Sequence, residues 1–147
     1  MQAKETLEMI GRLKIEVFGE DGKLKQVAAI PNLVVTTGKE FIASRMTAAS
    51  ASVMSHMAVG TDSTSPVAGD TALGAEIARV ALTSGNTSGA VATYVASFPA
   101  GTGTGGLQEA GIFNAGSSGT MLCRTTFSVI NKGASDSMTI TWTVTVS

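Results

Sequence analysis

The sequence predicts a mainly β protein: an antiparallel β-sandwich, jelly roll or partly closed barrel with one short helix. Three observations predict it. Apolar and polar residues alternate along short runs, which is the period-two pattern of half-buried strands. Turn residues (Gly, Asn, Asp, Ser) punctuate these runs at roughly 8–12-residue intervals, as in all-β sandwiches and barrels. The length of 147 residues suits one domain, which at this size buries roughly two-thirds of its unfolded surface.

Residues 1–10 show no strand alternation and are read as an N-terminal arm that lies against a partner. A single β-rich domain is expected over 11–147. Alternation over 12–18 sets Leu13, Ile15 and Val17 on one face and Arg12, Lys14 and Glu16 on the other. Gly19-Glu20-Asp21-Gly22 reads as a hairpin turn, because Asp-Gly supplies the positive φ such turns require. A second strand follows over 23–30, and Pro31-Asn32 is expected to break it. Thr37 and Glu40 form a candidate capping box. Phe41, Ile42, Arg45 and Met46 follow at helical spacing, so a short helix is expected near 38–49.

Further strands are expected over 53–59, 76–83, 91–98, 107–114, 121–130 and 138–146. A long loop with Pro66 covers 60–74, and the strands at 76–83 and 91–98 are expected to form a hairpin across 85–89. The last strand has the clearest pattern. Met138, Ile140, Trp142, Val144 and Val146 point one way; Thr139, Thr141, Thr143 and Thr145 point the other. An uncharged Thr face has little defence against edge pairing. This strand is therefore expected inside a sheet or against another chain.

Charge is scarce and uneven. Charged residues make up 14% of the chain, against roughly 25% in typical soluble domains. Residues 1–45 carry 13 of the 21 charges, and residues 46–147 carry the other eight. Thr, Ser, Ala and Gly cover the remainder, and such residues lose little side-chain entropy or solvation when another protein docks. The body is therefore expected to face neighbouring subunits, although a simply neutral Thr-rich domain would have the same composition. A net charge of −1 gives no general field for nucleic acid or an anionic membrane. No run of about 18 apolar residues and no basic-then-apolar leader is visible.

The candidate chemical residues are few. One Cys and one His exclude a disulfide framework and a multi-ligand Cys/His centre. His56 lies in an apolar stretch, is read as having no acidic or nucleophilic neighbour in sequence, and is expected to be structural. Arg124 could lower the thiol pKa of Cys123, but adjacent strand residues face opposite ways, so a buried thiol is expected. The glycine-rich stretch 101–106 precedes a strand pattern rather than a helix and no P-loop Lys follows, so it lacks the context for phosphate binding. Asp62 and Asp70 could offer oxygens to Ca²⁺ but lack the spacing of a known calcium loop. Lys23 and Lys25 have no interleaved aromatic residues, unlike a nucleic-acid platform. The five methionines at 46, 54, 57, 121 and 138 read as flexible core filler. No catalytic, cofactor-binding or metal-binding residue is assigned, and no enzymatic activity, small-molecule substrate, nucleic-acid partner or membrane partner is expected.

Four stretches resemble a group of small structural proteins encoded by tailed bacteriophages. They are residues 32–39 (Asn32-Leu33-Val34-Val35-Thr36-Thr37-Gly38-Lys39), Val59-Gly60-Thr61-Asp62 with Gly69-Asp70-Thr71-Ala72-Leu73-Gly74, residues 109–115 (Glu109-Ala110-Gly111-Ile112-Phe113-Asn114-Ala115), and Met121-Leu122-Cys123-Arg124 leading into the Thr/Trp strand. The likeness covers most of 11–147 and rests on turn glycines and β patterning. It implies a virion protein: a capsid decoration (cement) protein on the capsid exterior, or a tail, fibre or baseplate-associated protein. It further implies synthesis in the host bacterial cytoplasm, the major capsid protein as partner and, by analogy, a homotrimer. It carries over no catalytic residues. A carbohydrate-binding β-module is a third reading, which the shortage of aromatic residues disfavours.

Overall fold

A computed structural model describes residues 3–47 and 52–147. The chain forms β1 (Met9–Phe18), β2 (Leu24–Val34), α1 (Thr36–Ser44), β3 (His56–Gly60), β4 (Glu76–Ala81), β5 (Ser84–Ser88), β6 (Val91–Phe98), β7 (Gly105–Phe113), β8 (Met121–Lys132) and β9 (Ser137–Val146). All nine strands join one curled antiparallel sheet in the order β4-β3-β7-β8-β2-β1-β9-β6-β5. This is the partly closed barrel with one short helix that the patterning predicts.

Two crossings fold the sheet on itself. β2 pairs with β1 as far as Asn32, then with β8 through Leu33 and Val34. At the other side only Leu82 and Thr83 separate β4 from β5. The Leu82 N–H donates to Ser55 O at 2.9 Å, continuing the line of β3, while the Thr83 N–H donates to Val95 O of β6 at 2.7 Å. The two ends of the sheet are thus covalent neighbours.

The core lies inside the curl. Leu13, Ile15 and Val17 of β1 and Met138, Ile140, Trp142 and Val144 of β9 pack with Met57, Val59, Leu107, Ile112 and Ile130 of the opposite wall. The outward Thr residues of β9 follow the expected alternation, and β9 lies between β1 and β6. A smaller cluster of Val35, Ala58, Leu73, Phe113 and Met121 forms on the outer side of β3, β7 and β8. The loop after β3 covers it through Leu73.

Four local expectations are corrected. Pro31-Asn32 does not break β2, which runs on to Val34. β8 pairs in register only from Leu33, and at Pro31 it meets β2 through the Thr125 hydroxyl, which donates to Pro31 O at 2.7 Å, so no ladder bond needs the missing N–H. The helix spans Thr36–Ser44 rather than 38–49, and residues 48–49 of that expectation lie outside the described residues. No capping box forms: the N-cap is Val35, without a side-chain cap, and the Thr37 hydroxyl donates to Met121 O at 3.0 Å. Finally, β4 pairs with β3, while 84–88 is itself a strand, so the hairpin is β5–β6. The 19–22 turn forms as read, with Gly22 at φ 79°. Gly38 lets α1 settle on β8, because a Cβ there would run into the Leu122 carbonyl.

Residues 3–8 are exposed and precede β1, whose first residues are Met9 and Ile10 of the expected arm. Glu8 is tied to Ser147 by a reciprocal pair of backbone bonds, each 2.8 Å.

Candidate functional site

The 61–75 loop is clamped to the outer face of β7 and β8 by ion pairs around Arg124. Glu109 is fully buried and Arg124 is 3% exposed. The guanidinium donates to Glu109 Oε1 at 3.1 and 3.2 Å, to Asp70 Oδ2 at 2.9 Å and to Asp62 Oδ2 at 3.3 Å. Glu109 accepts three backbone N–H groups from the loop: Asp62 at 3.1 Å, Gly74 at 2.8 Å and Ala75 at 2.7 Å. Gly60 and Gly74 leave room for these carboxylates, since a Cβ at either would meet Glu109 or Asp62. The oxygens of Asp62 and Asp70 therefore surround a guanidinium. Arg124 links three of the four stretches that carry the phage resemblance, a connection invisible in the linear order.

The other charges after residue 52 are also engaged within the chain. Arg79 forms a two-pronged pair with Glu76 at 2.7 and 3.0 Å, donates to Ala115 O and Ser118 O, and lies 3.8 Å from the Phe113 ring centre. Lys132 is buried, its amine donating to Pro99 O at 3.0 Å. Desolvation holds that amine below the usual lysine range, against the opposing pull of Asp136. Asp136 accepts the Lys25 amine on both oxygens at 3.0 Å and the Gly133 N–H at 2.8 Å.

These contacts predict an acid response. Bonds from Lys25, then Gly133, hold the Asp136 carboxyl below its ordinary value of 3.8. Bonds from the Thr64 hydroxyl and N–H do the same for Asp62. With folded values depressed, the unfolded chain takes up protons first as pH falls. The stabilisation is complete well above 3.8 and drains away from about pH 5 downward. Urea midpoints should fall with acid over that range, and Lys25→Met should make the fall shallower. An unchanged acid slope in Lys25→Met would remove Asp136 from the account.

His56 and Cys123 take separate places. His56 Nδ1 shares a 2.8 Å hydrogen bond with the hydroxyl of the adjacent Ser55, which corrects the expectation of no nucleophilic neighbour, and its ring borders Gly116. No carboxylate bonds to that ring among the described residues. Cys123 is buried on the inner side, opposite Arg124, and burial pushes its thiol well up. The glycine-rich stretch forms a turn at 99–103 and then enters β7. Lys25, one of the two lysines near the first turn, pairs with Asp136 at 3.0 Å.

Across β9, β6 and β5 the outward face carries no charge. The outer face across β9, β6 and β5 presents Thr139, Thr141, Thr143 and Thr145, then Val91, Thr93 and Val95, then Ser84, Asn86 and Ser88. Arg12, Lys14 and Glu16 of β1 border it on one side, with Lys14 and Glu16 3.6 Å apart. This face and the exposed arm are the candidate contact surfaces. Comparison with family models, curated proteins and solved structures finds no match for this chain.

Proposed function

We propose that the chain is a structural protein of a bacteriophage virion, a decoration protein that binds the major capsid protein on the capsid exterior and stabilises the shell without covalent chemistry. The observation that carries this reading is the engagement of every charged side chain of residues 52–147 by contacts within the chain. The outward face of β9, β6 and β5 is left as Thr, Ser, Asn and Val. Such a face desolvates at low cost when protein docks on it. Weak contacts repeated by capsid symmetry then add up through multivalency. The resemblance to small phage structural proteins supplies the setting, and a homotrimer is part of the same proposal. No catalytic step is assigned to any residue.

The test is the stoichiometry of the chain in purified particles of the phage that encodes it, measured by quantitative mass spectrometry against the major capsid protein. Copies comparable in number to capsid subunits are expected. A handful of copies per particle would overturn the decoration role and move the chain to the tail, fibre or baseplate. Absence from particles would overturn both.

A further inference from the structure

A groove of about 370 Å³ opens where β1 and β2 part, lined by Met9, Ile10, Asn32, Leu33 and Val34 among others. The β1–β2 register ends at Gly11↔Asn32, after which β2 turns to β8 while β1 stays with β9. The direction of the backbone groups follows from the bonds next to them. Glu8 and Ser147 exchange both of theirs, so alternation along an antiparallel ladder turns the N–H and C=O of Met9 the other way, toward β2. The Val35 N–H donates to Leu122 O of β8, so the N–H and C=O of Val34 turn toward β1. Met9 and Val34 hold the positions of the next rung, and that rung is not made.

The groove holds a further polar group without a mate. Both polar atoms of the Asn32 amide are buried, and neither has a hydrogen-bond partner within the chain. The nearby Cys123 thiol is a weak partner at best. Gly11 leaves the space in which that amide lies. Buried main-chain and amide groups are nearly always paired, so these groups call for something that pairs them. Met9, Val34 and Asn32 each offer a donor together with an acceptor. An anion would need donors alone and a cation acceptors alone, whereas a peptide group presents the matching pair. Glu8 and Lys39 also line the groove, and their opposite signs favour neither ion. Ile10, 47% exposed, adds apolar surface for a side chain of whatever enters.

We infer that this groove binds an extended, uncharged segment of another protein by β-strand addition, its main chain bonding to Met9, Val34 and Asn32 and an apolar side chain resting against Ile10 and Leu33. In complexes of this kind main-chain bonds supply affinity and side-chain contacts supply specificity. The surface is separate from the outer face of β9, β6 and β5, and the inference does not need the virion reading.

Amide-resolved NMR titration of the full chain tests it. N-methylacetamide, a single peptide group, should shift the Met9 and Val34 amides and the Asn32 side-chain amide saturably, while acetate and methylammonium at equal concentration should not. The capped peptide acetyl-Thr-Val-Thr-Val-Thr-amide should bind at least about tenfold more tightly than N-methylacetamide, because it adds main-chain bonds. Asn32→Leu should weaken the peptide about fivefold to tenfold, as loss of one hydrogen-bonding group does. Met9→Pro removes an N–H that faces away from β9 and so spares that ladder. It should weaken the peptide to a similar degree, and it serves if the Leu variant fails to fold. No saturable shift with N-methylacetamide, an equal response to acetate, a peptide no tighter than N-methylacetamide, or unchanged affinity in a folded variant would each overturn the inference. The same shifts on raising the protein concentration alone would overturn it too, by making the occupant a second copy. Particle stoichiometry is read independently, so this inference and the virion reading fail separately.

Discussion

Arg124→Leu is expected to destabilise the protein by about 3–5 kcal/mol, the usual consequence of removing one partner from a buried ion pair. Glu109 would remain fully buried with no cation beside it, and Asp62 and Asp70 would face it without their shared counter-ion. At this chain length each kcal/mol corresponds to roughly 2–4 °C in Tm. Urea unfolding followed by Trp142 fluorescence measures the loss. Glu109→Gln should cost less, because the amide oxygen keeps one acceptor for the loop N–H groups. The Arg124→Leu/Glu109→Gln double variant should lose less than the two singles combined, since the stranded carboxylate is gone. A loss below about 1 kcal/mol in Arg124→Leu would reduce the cluster to a surface ion pair.

Trp142→Ala should cost a similar amount, about 3–5 kcal/mol, through the cavity it opens. Trp142 is fully buried in β9, where Leu13 of β1 and Tyr94 of β6 flank it in register. Its indole N–H has no hydrogen-bond partner among the described residues. Trp142→Phe therefore loses volume but no hydrogen bond and should retain most of the stability. Trp142 is the chain's single Trp, so far-UV circular dichroism must replace fluorescence as the probe. Equal losses in the Ala and Phe variants would contradict a volume-based account.

The strands that the sequence made legible are those whose inner and outer faces differ in chemistry. In β1 and β9, Leu, Ile, Met and Trp alternate with Lys, Glu and Thr, and both strands appear close to the expected bounds. Pairing was harder to read. Ser84-Gly85-Asn86-Thr87-Ser88 has the composition of a turn, yet it forms β5 because β6 supplies a ladder along its whole length. Tertiary context likewise overrode the expected capping box, since Thr37 finds a backbone acceptor on β8 instead. The clamp was illegible for another reason. Its partners are separated by 15, 54 and 62 residues, and no local pattern encodes contacts at those distances. The only local traces are the glycines at 60 and 74, whose missing side chains make room for it.

The pairing of β1 with β9 along all ten residues of each affects how the chain can fold as it is synthesised. β1 leaves the ribosome more than a hundred residues before β9, the strand that pairs with it along its whole length. Until then Leu13, Ile15 and Val17 lack one wall of their enclosure, and β6 and β5 have no strand to join them to the rest of the sheet. Non-local pairing of this kind slows folding and leaves apolar strands exposed in the meantime. Stalling translation before 137 should therefore leave the chain unable to complete the sheet.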